Sequence, residues 1–326
     1  MSKRRTLVFN CHEAWVHQLG GMGLALDIIV GLPGRYSPAW DTRMRPVPKG
    51  SRTLSLEDAL RAQGPYATVI AHSITDLLDA RTLDAPKLVV LHTTLEGRLL
   101  EEKSEVDPRE LGTMLKQLLE MIGGHAVAVS RLKGNSWGVC DDIVPFGVDP
   151  DAYLPATLEL DAGLRISNLF TKRRKILLGD LHDAAFSGVP LRLVGHNPDV
   201  PGATAAASWD ELKALLSTHR FYVHTAHPEL EDGYNMATLE AMAAGLPVLG
   251  NRHHSSPVEH GISGYLSDDP AELRAYAEEL LGDRQRAFRM GQAAREAVRA
   301  KFHVAHFRIG FERSLQRARQ KYAAAK

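Results

Sequence analysis

Cysteine is nearly absent from this chain: Cys11 and Cys140 are the only two among 326 residues. Two thiols are too few for a disulfide framework or a cysteine-based zinc site. An excess of one charge is also lacking. Lys+Arg and Asp+Glu both number 39, so no bulk field argues for nucleic acid or an anionic membrane as partner. No apolar stretch approaches the roughly 20 residues of a spanning helix, and the apolar run after the basic start MSKRR is far too short for a signal peptide. A cytoplasmic chain with no membrane span is expected, with peripheral membrane contact left open. Internal repeats and low-complexity tracts are missing, apart from the trailing AAAK.

What is present is a globular pattern. A hydrophobic content of 44% supports a sizeable core, and the length suggests two domains of roughly 150 residues each. Apolar runs alternate with helical patterns: TLVFN, LALDIIV, YATVIAH, KLVVLH, HAVAVS and DIVPFG in the first half, GLRISNLF and PLRLVGHN in the second. That alternation predicts an α/β fold with parallel sheets covered on both faces. Residues 31–52, rich in Pro, Gly and Arg, read as a long loop with room for one edge strand. The glycines of QLGGMG lie well beyond the first strand and directly before the second, so they read as a helix end and a turn rather than a dinucleotide loop.

The chain is organised around FYVHTAHPELEDGYNMATLEAMAAGLPVLG (221–250), which reads as strand, loop, helix, glycine stop and strand. Asn235 can cap the helix, Gly245 can end it, and Pro247 prevents its resumption. A loop feeding a helix N-terminus at a strand's end suits an anion. Asp232 precedes that helix and Glu240 lies inside it, eight positions later. On spacing alone, Asp232 is equally a routine dipole complement and Glu240 a member of a solvated face.

DGYNMATLEAMAAGLPVL resembles the donor-site signature of retaining GT-B glycosyltransferases of the family 4 type, Glu-x7-Glu followed by Ala-Met-Ala-x-Gly-x-Pro-Val. Asp232 departs from it, standing where the family usually has Glu. The resemblance is densest over 125–155 and 221–302 and implies two Rossmann-like domains facing across a cleft. Their expected limits are 1–155 on the acceptor side, 156–302 on the donor side, and a helix over 303–326 that packs back on the first domain. The crossover is read from VPFGVDPDAYLP, similar to the family's Pro-x-Gly-Val-Asp.

The activity implied is metal-independent transfer of a sugar, with retention, from a nucleotide-diphosphate sugar of UDP or GDP type to a glycan, lipid or small-molecule acceptor. No cofactor and no nucleic acid are implied. Glu240 would bind the ribose. Gly233, Tyr234, Asn235 and Met236 would hold phosphate and sugar through backbone amides. Asp232 would face the anomeric centre, with Glu231 as its neighbouring rival. The family grips the diphosphate with an Arg and a Lys five apart; here Lys172 and Arg173 are the candidates, and counting back five from Arg173 gives Asn168. His92, ending KLVVLH, matches the family's sugar-reaching histidine, with His72 the second choice. Where relatives often carry a Gly-rich loop this chain has NCHEAW, so Asn10, His12, Glu13 and Trp15 are expected on the acceptor side. His253, His254, Glu259 and His260 match no zinc spacing. A short helix ending at Gly261 is expected from the family pattern. The rival readings are a nucleotide-sugar-binding protein with impaired catalysis, and a GT-B epimerase or phosphorylase.

Overall fold

The computed structural model describes residues 4–34, 39–62 and 66–326. Positions 35–38 of the expected loop lie outside the described residues, as does Gln63, the last residue of SLEDALRAQ, whose pattern reads as helical. The chain divides into two units. One comprises the residues up to Leu99, Ser104–Gly147 and Val304–Lys326; the other comprises Leu100–Lys103 and Val148–His303. The crossing falls at Gly147/Val148 rather than near 155, because the Val148 N–H donates to the Phe302 carbonyl at 2.8 Å and Val148 forms a bridge with His303.

Among the described residues the N-terminal unit holds seven strands: β1 (Thr6–Phe9), β2 (Leu26–Ile29), β3 (Arg52–Leu54), β4 (Thr68–Ala71), β5 (Lys87–Leu91), β6 (His125–Ala128) and β7 (Asp142–Ile143). Their order is β3-β2-β1-β4-β5-β6-β7, with every pair parallel. The central strands are buried along their whole length, as a sheet covered on two faces requires. DIVPFG contributes only two residues of strand before Pro145 intervenes. Helices α1 (Glu13–Leu19), α2 (Leu56–Arg61), α3 (Ile74–Asp79), α4 (Leu95–Glu102), α5 (Pro108–Ile122) and α6 (Arg131–Trp137) connect them. The last lies between the HAVAVS and DIVPFG runs, where the sequence pattern announces no helix. Ser130 Oγ caps it at the Lys133 N–H, 3.2 Å, and Gly138 ends it at φ +63°.

The C-terminal unit has five strands, β8 (Leu160–Ile166), β9 (Leu191–Val194), β10 (His219–Val223), β11 (Val248–Gly250) and β12 (Gly264–Leu266). They run parallel in the order β12-β11-β10-β8-β9. Its helices are α7 (Gly179–Phe186), α8 (Trp209–Thr218), α9 (Met236–Ala244), α10 (Pro270–Gly282) and α11 (Arg284–Lys301). The final helix, α12 (Val304–Ala324), returns to the N-terminal unit and packs on β4, β5 and β6. Phe307 and Phe311 meet Trp15 edge-on there, and Ser314 Oγ donates to Asp142 at 2.8 Å. No helix short of Gly261 forms: the described backbone is turns, with Gly261 at φ +78° and a bridge between His260 and Gly264.

In each sheet the strand order reverses once, between β1 and β4 in the first and between β8 and β10 in the second. The crevice beyond the carboxyl ends of strands at such a switch is where open α/β sheets bind ligands. Among the described residues no helix is long and apolar enough to cross a membrane.

Candidate functional site

At the switch of the C-terminal unit, loops after β8, β9, β10 and β11 are laced together by asparagines. Asn197 Oδ1 accepts the Phe170 N–H at 2.8 Å while its Nδ2 donates to the Ser167 carbonyl at 2.7 Å. Asn168 Oδ1 accepts the His196 N–H at 2.8 Å. The exposed Asn168 is thus a loop brace, at the place where the family spacing would put a cation. Gly195 is required here: its φ is +133°, and a Cβ would lie 2.2 Å from the Ser167 carbonyl oxygen. Asn251 clamps the next pair of loops, accepting the Ala226 N–H at 2.9 Å and donating to the Ala226 carbonyl at 3.0 Å.

Within that frame the 227–235 loop is held from behind by two histidines. His253 Nδ1 accepts the Ser255 N–H at 3.1 Å, so its Nε2–H donates to the Glu231 carbonyl at 3.0 Å. His224 Nε2 lies 3.2 Å from the Asp232 carbonyl, and burial, with Arg165 adding to it, pushes its pKa down to about 4. Both rings are neutral braces, which gives His253 a structural place in the loop. Glu231 Oε1 accepts the Asp232 N–H at 3.0 Å and Oε2 receives Arg173 at 3.3 Å. Asp232 is 1% exposed and Glu231 8%, so the two neighbours differ in setting: one carboxylate is tied to a cation, the other is sunk beneath the loop.

Helix α9 opens on a reciprocal cap. Asn235 Oδ1 accepts the Thr238 N–H at 2.9 Å, and Thr238 Oγ1 receives the Asn235 N–H at 3.3 Å. The Gly233 N–H is taken by Ser255 Oγ at 2.9 Å. Of the amides from Gly233 to Met236, two therefore have side-chain partners, whereas Met236 and Ala237, the first two helical positions, find none among the described residues. Tyr234 is buried against Phe302, ring centroids 5.2 Å apart, and points away from solvent. Every residue from Thr238 to Ala244 is buried, so the helix has no solvated face. Glu240, 6% exposed, is a buried carboxylate and not a surface residue.

The basic run after β8 opens TKRRKILLGDLHDAAFSG, which by its pattern reads as a helix with a basic start. TKRRK does not begin a helix; residues 170–178 are successive turns, and α7 starts at Gly179. Two leucines in the left-handed region bracket the segment, Leu169 at φ +51° and Leu178 at φ +47°, conformations that cost about 1–3 kcal/mol each. What holds it is Arg165, missed in the sequence. Its guanidinium is buried, donates to Thr225 Oγ1 at 2.9 Å and toward the Leu177 carbonyl at 3.3 Å, and lies 4.5 Å from the Phe170 ring centroid. A third bond, 3.0 Å to His182 Nδ1, needs that imidazole neutral; burial first, then Arg165, push its pKa down to about 3. On this segment Lys172 is exposed and finds no partner among the described residues. Arg173 pairs with Glu231 and with Glu101, of the short 100–103 stretch grouped with this unit. Arg174 is committed to Asp180 and Asp183 at 2.6 and 2.8 Å. One Asp-x-Asp spacing occurs, Asp149-Pro150-Asp151. Asp149 caps its own turn, and Asp151 pairs with Arg295 and Arg299 at 3.3 and 3.0 Å.

In the N-terminal unit the switch gathers residues from β1, β4 and β5. Asn10 is 1% exposed and its Nδ2 donates to Glu13 Oε1 at 3.4 Å. His12 is exposed and caps α1, its ring nitrogen accepting the Trp15 N–H at 3.4 Å. Trp15 is 1% exposed. It is a core residue, edge-on to His72 at 4.9 Å and His92 at 5.2 Å, not a lining one. The two histidines weighed as alternatives are a pair: His72 Nδ1 and His92 Nε2 are 2.9 Å apart.

Known proteins resemble this chain in fold and over part of its sequence. Residues 173–309 match the family described as "Glycosyl transferase-like". A 76-residue segment is 36% identical to N-acetyl-alpha-D-glucosaminyl L-malate synthase of Bacillus anthracis, covering 22% of this chain and 20% of that enzyme; the matched part is thus about a fifth of the relative's length. Sucrose-phosphate synthase from Thermosynechococcus elongatus superposes with a TM-score of 0.70 at 15% identity, over 99% of this chain and 100% of that one. HepE of Anabaena, in complex with UDP and glucose, gives 0.70 at 14% identity, over 96% and 99%. The fold is therefore GT-B. Within that fold, residues 173–309 are similar to the glycosyl transferase-like family.

Proposed function

We propose that the chain transfers a sugar, with retention of configuration and without a metal ion, from a nucleotide-diphosphate sugar to an acceptor hydroxyl. The observation that carries the reading is Glu240, a carboxylate buried in a helix whose first two amides lack partners among the described residues, at the switch of a parallel sheet. Glu240 accepts the ribose hydroxyls, and the Met236 and Ala237 amides take a phosphate oxygen. Lys172, with Arg173 released from its carboxylates, meets the charge that grows on the departing diphosphate. Asp232 faces the charge that develops at the anomeric carbon. In the N-terminal unit His92 is assigned to the sugar, and His12 and Glu13 to the acceptor. The donor is of UDP or GDP type, and HepE, seen with UDP and glucose, supports the first of these.

A panel of UDP- and GDP-sugars incubated with the protein in excess chelator tests this directly. Release of nucleotide with the α-anomer formed first from an α-linked donor, read by proton NMR, is the expected result. Turnover that needs added magnesium, or a product of inverted configuration, would overturn it. One observation favours a second reading, an impaired nucleotide-sugar-binding protein: Asp232 is shorter than the family's Glu and is almost wholly buried. Donor binding without any turnover would select that reading.

A further inference from the structure

The N-terminal unit contains a cluster that the proposed transfer leaves unexplained. Cys11 follows β1, His72 follows β4 and His92 follows β5, so three neighbouring strands deliver one thiol and two imidazoles to the same edge of the sheet. Sγ of Cys11 and one ring nitrogen of each histidine all lie within 4.8 Å of one another. The two imidazoles already point nitrogen to nitrogen at 2.9 Å. All three residues are half-buried.

We propose that Cys11, His72 and His92 form a binding site for Zn²⁺. A tetrahedral zinc with bonds of about 2.0–2.3 Å holds its ligand atoms roughly 3.3–3.8 Å apart, so small side-chain rotations that part the imidazole nitrogens from 2.9 Å and draw in the longer gaps would seat the ion. One thiolate and two imidazoles is a ligand set that zinc accepts, with the fourth position left to water. Two features prepare it. The Trp15 edge packs against both imidazoles and fixes their planes. Burial also favours the neutral form of both imidazoles, leaving ring lone pairs available, and by the same cause raises the pKa of the Cys11 thiol well above its ordinary value, so the metal itself must draw off the thiol proton. The proton balance is simple. The imidazole that donates in the present pair shifts its proton to its other nitrogen, and the Cys11 thiol releases one proton to solvent as the Zn–S bond forms. Because His92 is also assigned to the sugar, bound zinc would withhold it; that consequence rests on the proposed function, whereas binding itself does not.

The test uses the full chain, stripped with chelator, and reads binding instead of activity. Titration with Co²⁺ should give one equivalent with a thiolate-to-cobalt charge-transfer band. Zn²⁺ should displace the cobalt and slow alkylation of Cys11, while the exposed Cys140 reacts unchanged and serves as the internal reference. Cys11→Ser should abolish the band, and His72→Gln should weaken zinc by on the order of a hundredfold, with Cys140→Ser behaving as wild type. Circular dichroism of the metal-free variants separates ligand loss from unfolding, and the alkylation assay on wild type stands even if a variant does not fold. Absence of stoichiometric uptake by wild type, no protection of Cys11, or Cys11→Ser binding as tightly as wild type would each overturn the proposal.

Discussion

Gly291→Ala is a substitution for which local propensity and packing predict opposite signs. Gly291 sits in the interior of α11, where Ala is favoured over Gly by about 0.5–1 kcal/mol. A steric clash opposes that gain and outweighs it. A Cβ at 291 would lie 1.9 Å from the Gly245 carbonyl oxygen and 2.7 Å from its carbon. Ordinary contact begins at 3.4 Å, so α11 must retreat from the end of α9 by about 1.5 Å along that line. The obstacle is backbone, which cannot rotate away, and this puts the cost at the top of the usual overpacking range, about 3 kcal/mol. The net is a destabilisation of about 2 kcal/mol, or roughly 4–8 °C in the melting of a unit this size. Gly282→Ala is the matched control: nothing lies within 4 Å of the place its Cβ would take, so it should be neutral or stabilising by up to about 1 kcal/mol. Thermal and urea unfolding of both variants decide the matter. If Gly291→Ala stabilises as Gly282→Ala does, the tight crossing of α9 and α11 is wrong. Because α9 carries Glu240, the same variant should also weaken nucleotide binding.

Three further outcomes follow from the site. His182 and His224 have folded pKa values of about 3 and about 4, below the ordinary 6.5 of histidine. The neutral form is favoured on folding, so their contribution is full above about pH 6.5 and is lost as pH falls toward the folded values. Each costs about 1.4 kcal/mol per pH unit in that window. Urea midpoints at neutral pH and at about pH 5 should differ accordingly, with a shallower slope in His182→Gln; equal midpoints would refute the bracing role. Asn235→Ala should cost about 1 kcal/mol by removing the α9 cap, and a variant as stable as wild type would mean the cap is not formed. Asp232→Asn should lower turnover strongly with nucleotide affinity nearly unchanged, the pattern of an interaction that strengthens in the transition state. Glu231→Gln, whose carboxylate holds Arg173 and a backbone amide, should be the milder of the two. The opposite order in steady-state kinetics would move the role to Glu231.

Much of this was legible in the amino-acid order, for identifiable reasons. Alternation of apolar runs with helical spacing is a strong signal, and the strands from TLVFN to LPVLG appear where it puts them. Asn235 and Gly245 announce the ends of α9 because cap chemistry is local. Short elements defined by tertiary contact were not legible. Helix α6 depends on a serine cap and on packing of Trp137, and the 170–178 turns depend on Arg165, a cation that reads as part of an ordinary strand until its bonds to Thr225 and Leu177 are seen. Asn168 drew attention through a spacing, yet its side chain serves the His196 amide. Nor could spacing show that Trp15 is core, or that His72 and His92, twenty residues apart, share a hydrogen bond.

The claim on which the functional account rests is that α9 holds the donor nucleotide through Glu240. Calorimetric titration of wild type and Glu240→Gln with UDP and with GDP tests it most directly. The account predicts that wild type binds one of the two, and that the variant, folded by its unchanged melting, binds it about tenfold more weakly or worse, as expected when a charge-assisted hydrogen bond becomes a neutral one. Equal affinity of the two proteins for the nucleotide would contradict it.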